Sequence, residues 1–261
     1  MRNSHPSEST KYGPWLVMGV SLFIAFGQIV LTSAGMADSE APTYHYAMRQ
    51  LIWVGMGLIV CWFFAQIPTT QLERWWRMGG WILAYLVTIA SLVLVWIPPF
   101  GREINGASRW VRFGGLQFQP SEIAKLTLVY VLSGWVSLNP SGVRTLFAKS
   151  GFFWALALSG VLIGLVGLQP DFGAAIVLGC ITLTSLMIAG ARLPWLIGLC
   201  LAGVLAVAAL VAEDNVRARR VQAFLNFWDS KYEVVNVQQH VSLKAMALGG
   251  VDGVGLGESA G

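Results

Sequence analysis

The stretch FFWALALSGVLIGLVGLQPDFGAAIVLGCITLTSLMIA, residues 152–189, decides the fold. Two apolar runs, Phe152 to Leu168 and Phe172 to Ala189, carry no charged side chain, and only Gln169, Pro170 and Asp171 part them. Crossing the hydrocarbon core of a bilayer takes about 20 mainly apolar residues in a helix. Each run is close to that length. Pro170 cannot continue the first helix, and Asp171 is placed to cap the second with its carboxylate. The stretch reads as a tight hairpin of two membrane helices.

Outward from it the pattern repeats. Further apolar runs extend from Trp15 to Thr32, Met48 to Ile67, Trp81 to Phe100, Ile123 to Leu138 and Leu193 to Ala212. The chain is 56% hydrophobic and 11% charged, against about 25% charged for a soluble domain. That is too little charge to cover a soluble globule of 261 residues. Glycine lets membrane helices approach closely and tryptophan favours the lipid–water interface, which suits the 29 glycines and 12 tryptophans. The expected fold is all-α and polytopic, with about seven transmembrane helices. A leader, 1–14, precedes the helical domain, 15–212. The tail, 213–261, reads as an outer loop with an interfacial helix. The first run is too long for a signal peptide and lacks a small-residue cleavage site, so it reads as a helix that stays.

Arg2 and Lys11 precede the first run, and the segment Ser33–Ala47 has no Lys or Arg. The positive-inside rule then puts the N-terminus in the cytoplasm. Alternation places Gly101–Ser121, the Asp171 turn and the tail outside. Arg102, Arg109, Arg112, Arg217, Arg219 and Arg220 then lie outside, against the same rule. Either they bind an anionic substrate or the topology is inverted. The net charge of +4 points to anionic headgroups or a phosphorylated substrate rather than to nucleic acid. Cys61, Cys180 and Cys200 lie within apolar runs as packing residues. His5, His45 and His240 have no ligand spacing, so no metal site is read. No cofactor is indicated; a divalent cation stays open.

Four stretches carry polar chemistry. In the first, Asn105 to Lys125, Arg109 and Arg112 are placed to grip phosphate by paired hydrogen bonds. Pro120 and Ser121 look like a helix start, and Glu122 suits the positive end of the helix dipole. Lys125 follows Glu122 at a spacing that puts both on one face. The two are either a structural pair near lipid or the polar floor of a substrate cavity. As a buried pair they predict that Lys125→Ala lowers folding yield. In the second stretch, Gln169 to Gly173, Asp171 reads first as a helix cap. In the third, Arg217 to Trp228, basic and apolar residues alternate at helical spacing, as in a surface-lying helix. Such a helix either anchors in lipid or contacts substrate. The fourth, Gly249 to Ser259, reads as a close-packed turn at Gly255 and Gly257. Its Gly253 and Gly255 begin a nucleotide-loop pattern, but Glu258 breaks it.

These four stretches resemble the SEDS family (shape, elongation, division and sporulation). An Arg-Trp loop leading to Gln-Pro-Ser-Glu and a lysine is met by Arg109, Trp110, Gln119, Pro120, Ser121, Glu122 and Lys125. Gln-Pro-Asp-x-Gly is met at Gln169–Gly173, Arg-Arg-Val-x-Ala-Phe at Arg219–Phe224, and Gly-Leu-Gly-x-Ser at Gly255–Ser259. The wording is closer to the FtsW branch than to the RodA branch. Asp229-Ser230 stands where the family has Asp-Pro.

The resemblance implies a ten-helix fold and a function. Such proteins polymerise lipid II, an undecaprenyl-pyrophosphate-linked precursor, into glycan strands. They work beside a class B penicillin-binding protein and other divisome or elongasome membrane proteins. Arg109, Arg112, Glu122, Lys125, Arg219 and Arg220 would then bind substrate. Pro120, Pro170, Asp171, Gly255 and Gly257 would be structural. The family's proposed catalytic aspartate lies beyond Gly261, so the chain is expected to be the N-terminal part of such an enzyme. A lipid II flippase and a non-catalytic partner of the synthase are the alternatives.

Overall fold

A computed structural model describes residues 8–37, 44–104, 107–113, 116–138, 142–145, 151–213, 215–232 and 234–255. In chain order the elements are α1 (Glu8–Ala37), α2 (His45–Ala65), α3 (Thr69–Arg77), α4 (Gly80–Leu94), β1 (Gly101–Ile104), β2 (Ala107–Phe113) and β3 (Leu116–Phe118). Then come α5 (Pro120–Leu138), α6 (Phe152–Leu168), α7 (Phe172–Ile188), α8 (Leu193–Glu213), α9 (Asn215–Leu225) and α10 (Val237–Gly249). Two compact units form: Pro68–Asn215, and Met1–Ile67 with Val216–Gly261.

In the second of these units, α1 and α2 make a hairpin. Gln28 Nε2 donates to the Ala47 carbonyl at 3.0 Å, tying the two helices. Gly13–Ser33 and Tyr46–Ala65 are each long and apolar enough to cross a bilayer alone. Their large side chains, such as Phe23 and Ile59, face outward, where lipid would solvate them. In the tail, Asn236 Nδ2 donates to Ala223 O at 2.8 Å and joins α10 to α9.

The core of the Pro68–Asn215 unit lies among α4, α5, α6 and α7. Leu92, Leu128, Leu132, Leu162, Leu178 and Leu186 are fully enclosed there. Lipid is as apolar as leucine, so this core gains from close packing and interhelical hydrogen bonds rather than from escaping water. One such bond joins Thr88 and Thr127, Oγ1 to Oγ1 at 2.7 Å and buried. The helices run up and down. One end of the unit gathers the C-terminus of α4, the strands, the start of α5 and the α6–α7 turn. The other gathers α3, the end of α5 and the α7–α8 turn. They are called the sheet end and the tryptophan end.

Several expectations change. Residues 101–118 are not a plain loop but an antiparallel sheet in the order β1-β2-β3, so the fold is mostly rather than wholly helical. Val111 and Phe113 alternate with Arg112 as in a strand, and turn glycines obscured that pattern. The run expected from Trp81 to Phe100 stops as a helix at Leu94. It is preceded by α3, which meets α4 at a bend of 85°. Helix α10 was not anticipated. Counting that bent pair as one, up to three described spans pass a strict test of length and apolarity. Helices α6 and α7 and the Leu193–Ala209 part of α8 are apolar but shorter.

Candidate functional site

The sheet end is organised by two Gln-Pro pairs, Gln119-Pro120 and Gln169-Pro170. Each proline restricts the residue before it to an extended or turn backbone, which breaks the chain direction at that point. Pro120 is buried and opens α5. Pro170 is exposed in the turn between α6 and α7.

Asp171 is 6% exposed and collects three donors. Its Oδ2 accepts from Gln119 Nε2 and from Ser121 Oγ, the latter at 3.2 Å. Its Oδ1 accepts from the Ala174 N–H at 3.4 Å, the cap of α7. Both oxygens are occupied, so the arrangement suits a tie and not a free base. Gln169, 1% exposed, donates through Nε2 to the Leu92 carbonyl at 2.9 Å. Leu92 lies in the last turn of α4, where carbonyls outrun the helix's own N–H groups. Gln-Pro-Asp therefore closes α4, starts α7 and holds the entry to α5.

The sheet packs on that entry, β2 touching α5. Trp110 pairs with Arg102 and Ser108 with Glu103, which leaves Arg109 as the extra residue of a β-bulge. Bulges re-aim a side chain and are common beside functional sites. Arg109 is half-buried, and its Nε is enclosed with no hydrogen-bond partner among the described residues. Arg112 follows the fully buried Val111, so strand alternation turns it outward, and it is exposed. The two arginines expected to grip one phosphate therefore differ in burial and setting.

Glu122 and Lys125 do pair, Oε1 to Nζ at 2.8 Å. The Glu122 side chain is 60% exposed, so the pair sits on the outer surface of α5 and is not buried. Arg219 is exposed on α9, in the other unit. The side chain of Arg220, and Gly257 as a whole, lie outside the described residues. Gly255 has φ +103°, a conformation that favours glycine. No cluster of metal-ligating side chains occurs among the described residues.

Residue-type reasoning had not connected Gln119, Ser121 and Gln169 to this junction. The repeated Gln-Pro pair was the available signal, since each glutamine sits in a break between elements and donates to the end of another helix, Gln119 to the cap of α7 and Gln169 to the last turn of α4.

Residues 14–261 match the FtsW, RodA and SpoVE family, described as cell cycle protein. The probable peptidoglycan glycosyltransferase FtsW of Coxiella burnetii is 34% identical over 256 residues, covering 96% of this chain and 66% of the relative. The Aeromonas salmonicida protein of the same name is 35% identical, covering 95% and 61%. The chain thus spans under two thirds of the length of these relatives. Among solved structures, the rod shape determining protein RodA of Thermus thermophilus aligns with TM-score 0.52 at 30% identity, over 72% of this chain and 57% of that one. A chain from a peptidoglycan synthase complex, studied for coordination of polymerization and crosslinking, aligns with TM-score 0.62 at 26% identity, over 88% and 64%. The chain belongs to the FtsW, RodA and SpoVE family of cell cycle proteins.

Proposed function

We propose that this chain acts in lipid II polymerisation, as a peptidoglycan glycosyltransferase of the bacterial cytoplasmic membrane, beside a class B penicillin-binding protein. The names of its relatives support the activity, and its apolar helices support a multi-pass placement. Seven spans, α1, α2, α4, α5, α6, α7 and α8, with the N-terminus in the cytoplasm, put the sheet end outside.

The observation that carries the reading is the Arg109 bulge. A guanidinium with an enclosed, unpaired Nε on the sheet packed against α5 suits a pyrophosphate. Glycan transfer breaks the sugar–pyrophosphate bond as an acceptor hydroxyl attacks and loses its proton to a base. Negative charge grows on the leaving pyrophosphate, and a pre-placed arginine stabilises it. Arg112, Lys125 and Glu122 form the outer rim, where the cations draw the anionic substrate toward the bulge. Asp171 positions this machinery by holding Gln119 and Ser121.

The test is polymer formation by the protein in liposomes with its penicillin-binding partner, from fluorescent lipid II supplied at the outer face. Glycan ladders that vanish in Arg109→Ala, with the protein still folded, support the proposal. Lipid II translocation without polymer would replace it with the transporter reading.

A further inference from the structure

The tryptophan end concentrates cations and aromatic rings away from the Arg109 bulge. The Trp76 ring stacks on Trp81 at 5.8 Å and meets Trp135 edge-on at 6.2 Å. It lies so close to Gly134 that an added Cβ would sit 2.3 Å from it. Tyr130 Oη donates to the Leu72 carbonyl at 3.3 Å. Helix α3 is thereby fixed against α5, at 85° to the apolar helix α4. A helix so held lies across the membrane normal when α4 runs along it. Leu72 and Trp76 face α5, while Trp75, Arg74 and Arg77 are exposed.

Charge at this end is one-sided. Arg77 pairs with Glu73 at 2.8 Å, and Glu73 is the one acid here among the described side chains. Arg74 has no ion-pair partner among the described residues. Arg144 turns the Nε–Nη2 edge of its guanidinium toward Gly190, with Nη2 3.3 Å from where a Cβ would be. Arg192 lies 5.2 Å above the Trp195 ring. Stacked on its ring, the Arg192 guanidinium keeps its donor edges available.

We propose that the tryptophan end binds the headgroups of anionic phospholipids through Arg74, Arg144 and Arg192, with Trp75 seated at headgroup level. The proposal rests on reading the apolar helices as membrane-spanning. Guanidinium matches phosphate geometry, and exposed tryptophan favours this depth. Each arginine near an anionic surface strengthens binding about fivefold.

The test is native mass spectrometry of the detergent-purified chain with phosphatidylglycerol or phosphatidylcholine. The wild type should retain phosphatidylglycerol preferentially. Arg74→Gln/Arg144→Gln/Arg192→Gln should lose it by at least about tenfold, while Arg49→Gln, on α2, should keep it. If the triple variant does not fold, each single variant should still weaken retention by about fivefold. Equal retention of the two lipids overturns the proposal, as does an unaffected set of folded variants or an equal loss in Arg49→Gln. Capture of an acidic protein without any phosphatidylglycerol preference overturns it too.

Discussion

Ser121 Oγ lies 3.2 Å from Asp171 Oδ2, although 50 residues separate them in the chain. With Gln119 on the same oxygen and Ala174 N–H on the other, the carboxylate holds the starts of α5 and α7 together. Asp171→Ala removes the cap and leaves the buried Ser121 and the half-buried Gln119 without their acceptor. The expected loss is about 2–4 kcal/mol, since a cap and charge-assisted bonds are lost together. Asp171→Asn should fall between, because its amide can still cap but presents a donor to Gln119 or Ser121. Thermal unfolding in detergent reads both. A folded, fully stable Asp171→Ala that is inactive would instead make Asp171 a participant in the chemistry.

Arg109 and Arg112 should separate in function. Lysine keeps the charge but not the two-pronged donor edge. Arg109→Lys should slow glycan polymerisation by about tenfold or more, the scale of one charge-assisted hydrogen bond. Arg112→Lys, on the exposed side of β2, should change the rate less than twofold or so at ordinary salt. Initial rates from fluorescent lipid II measure both, and equal losses would mean that the bulge has no special role.

Lys125→Ala tests a revised expectation. The exposed Glu122–Lys125 pair contributes under about 1 kcal/mol, so folding yield and unfolding temperature should barely move. Activity is the discriminating readout. Lost polymer with intact stability assigns Lys125 to substrate, and a large stability loss returns it to a structural role.

The apolar helices were legible because the bilayer requires unbroken apolar length. Phe152–Leu168 has the same limits in sequence and structure, and α7 differs by one residue at its end. The sheet was not legible, since its strands are three to seven residues long and broken by glycines. Proximity in sequence suggested one anion grip from Arg109 and Arg112, but a bulge and strand alternation separate them. Spacing of three correctly paired Glu122 with Lys125 yet could not say which way that face of α5 points. The Gln119–Asp171 tie depends on packing α5 against α7, which no local pattern encodes.

Gly134 should be intolerant of any side chain. Gly134→Ala puts a Cβ into the Trp76 ring, and overpacking of this kind costs about 1–3 kcal/mol. The Trp76 ring would have to leave the cluster, freeing α3 from α5. A shift in tryptophan fluorescence and faster proteolysis near Arg77 should accompany the loss. An unchanged spectrum with unchanged stability would show that the ring is not held there.

Thr88 and Thr127 should be energetically coupled within the membrane. Thr88 Oγ1 also donates to the Ala84 carbonyl at 2.9 Å, so its proton is used and Thr127 supplies the donor between the two hydroxyls. Thr127→Val leaves Thr88 with its helix acceptor, whereas Thr88→Val turns the Thr127 hydroxyl back to its own helix. Neither variant strands a donor, so each alone should cost little. Comparing both single variants with the Thr88→Val/Thr127→Val double should give a coupling of about 0.6 kcal/mol, the scale found for interhelical side-chain hydrogen bonds in bilayers. Unfolding free energies in bicelles provide the four corners of the cycle. Strict additivity would mean that α4 and α5 are joined by shape alone.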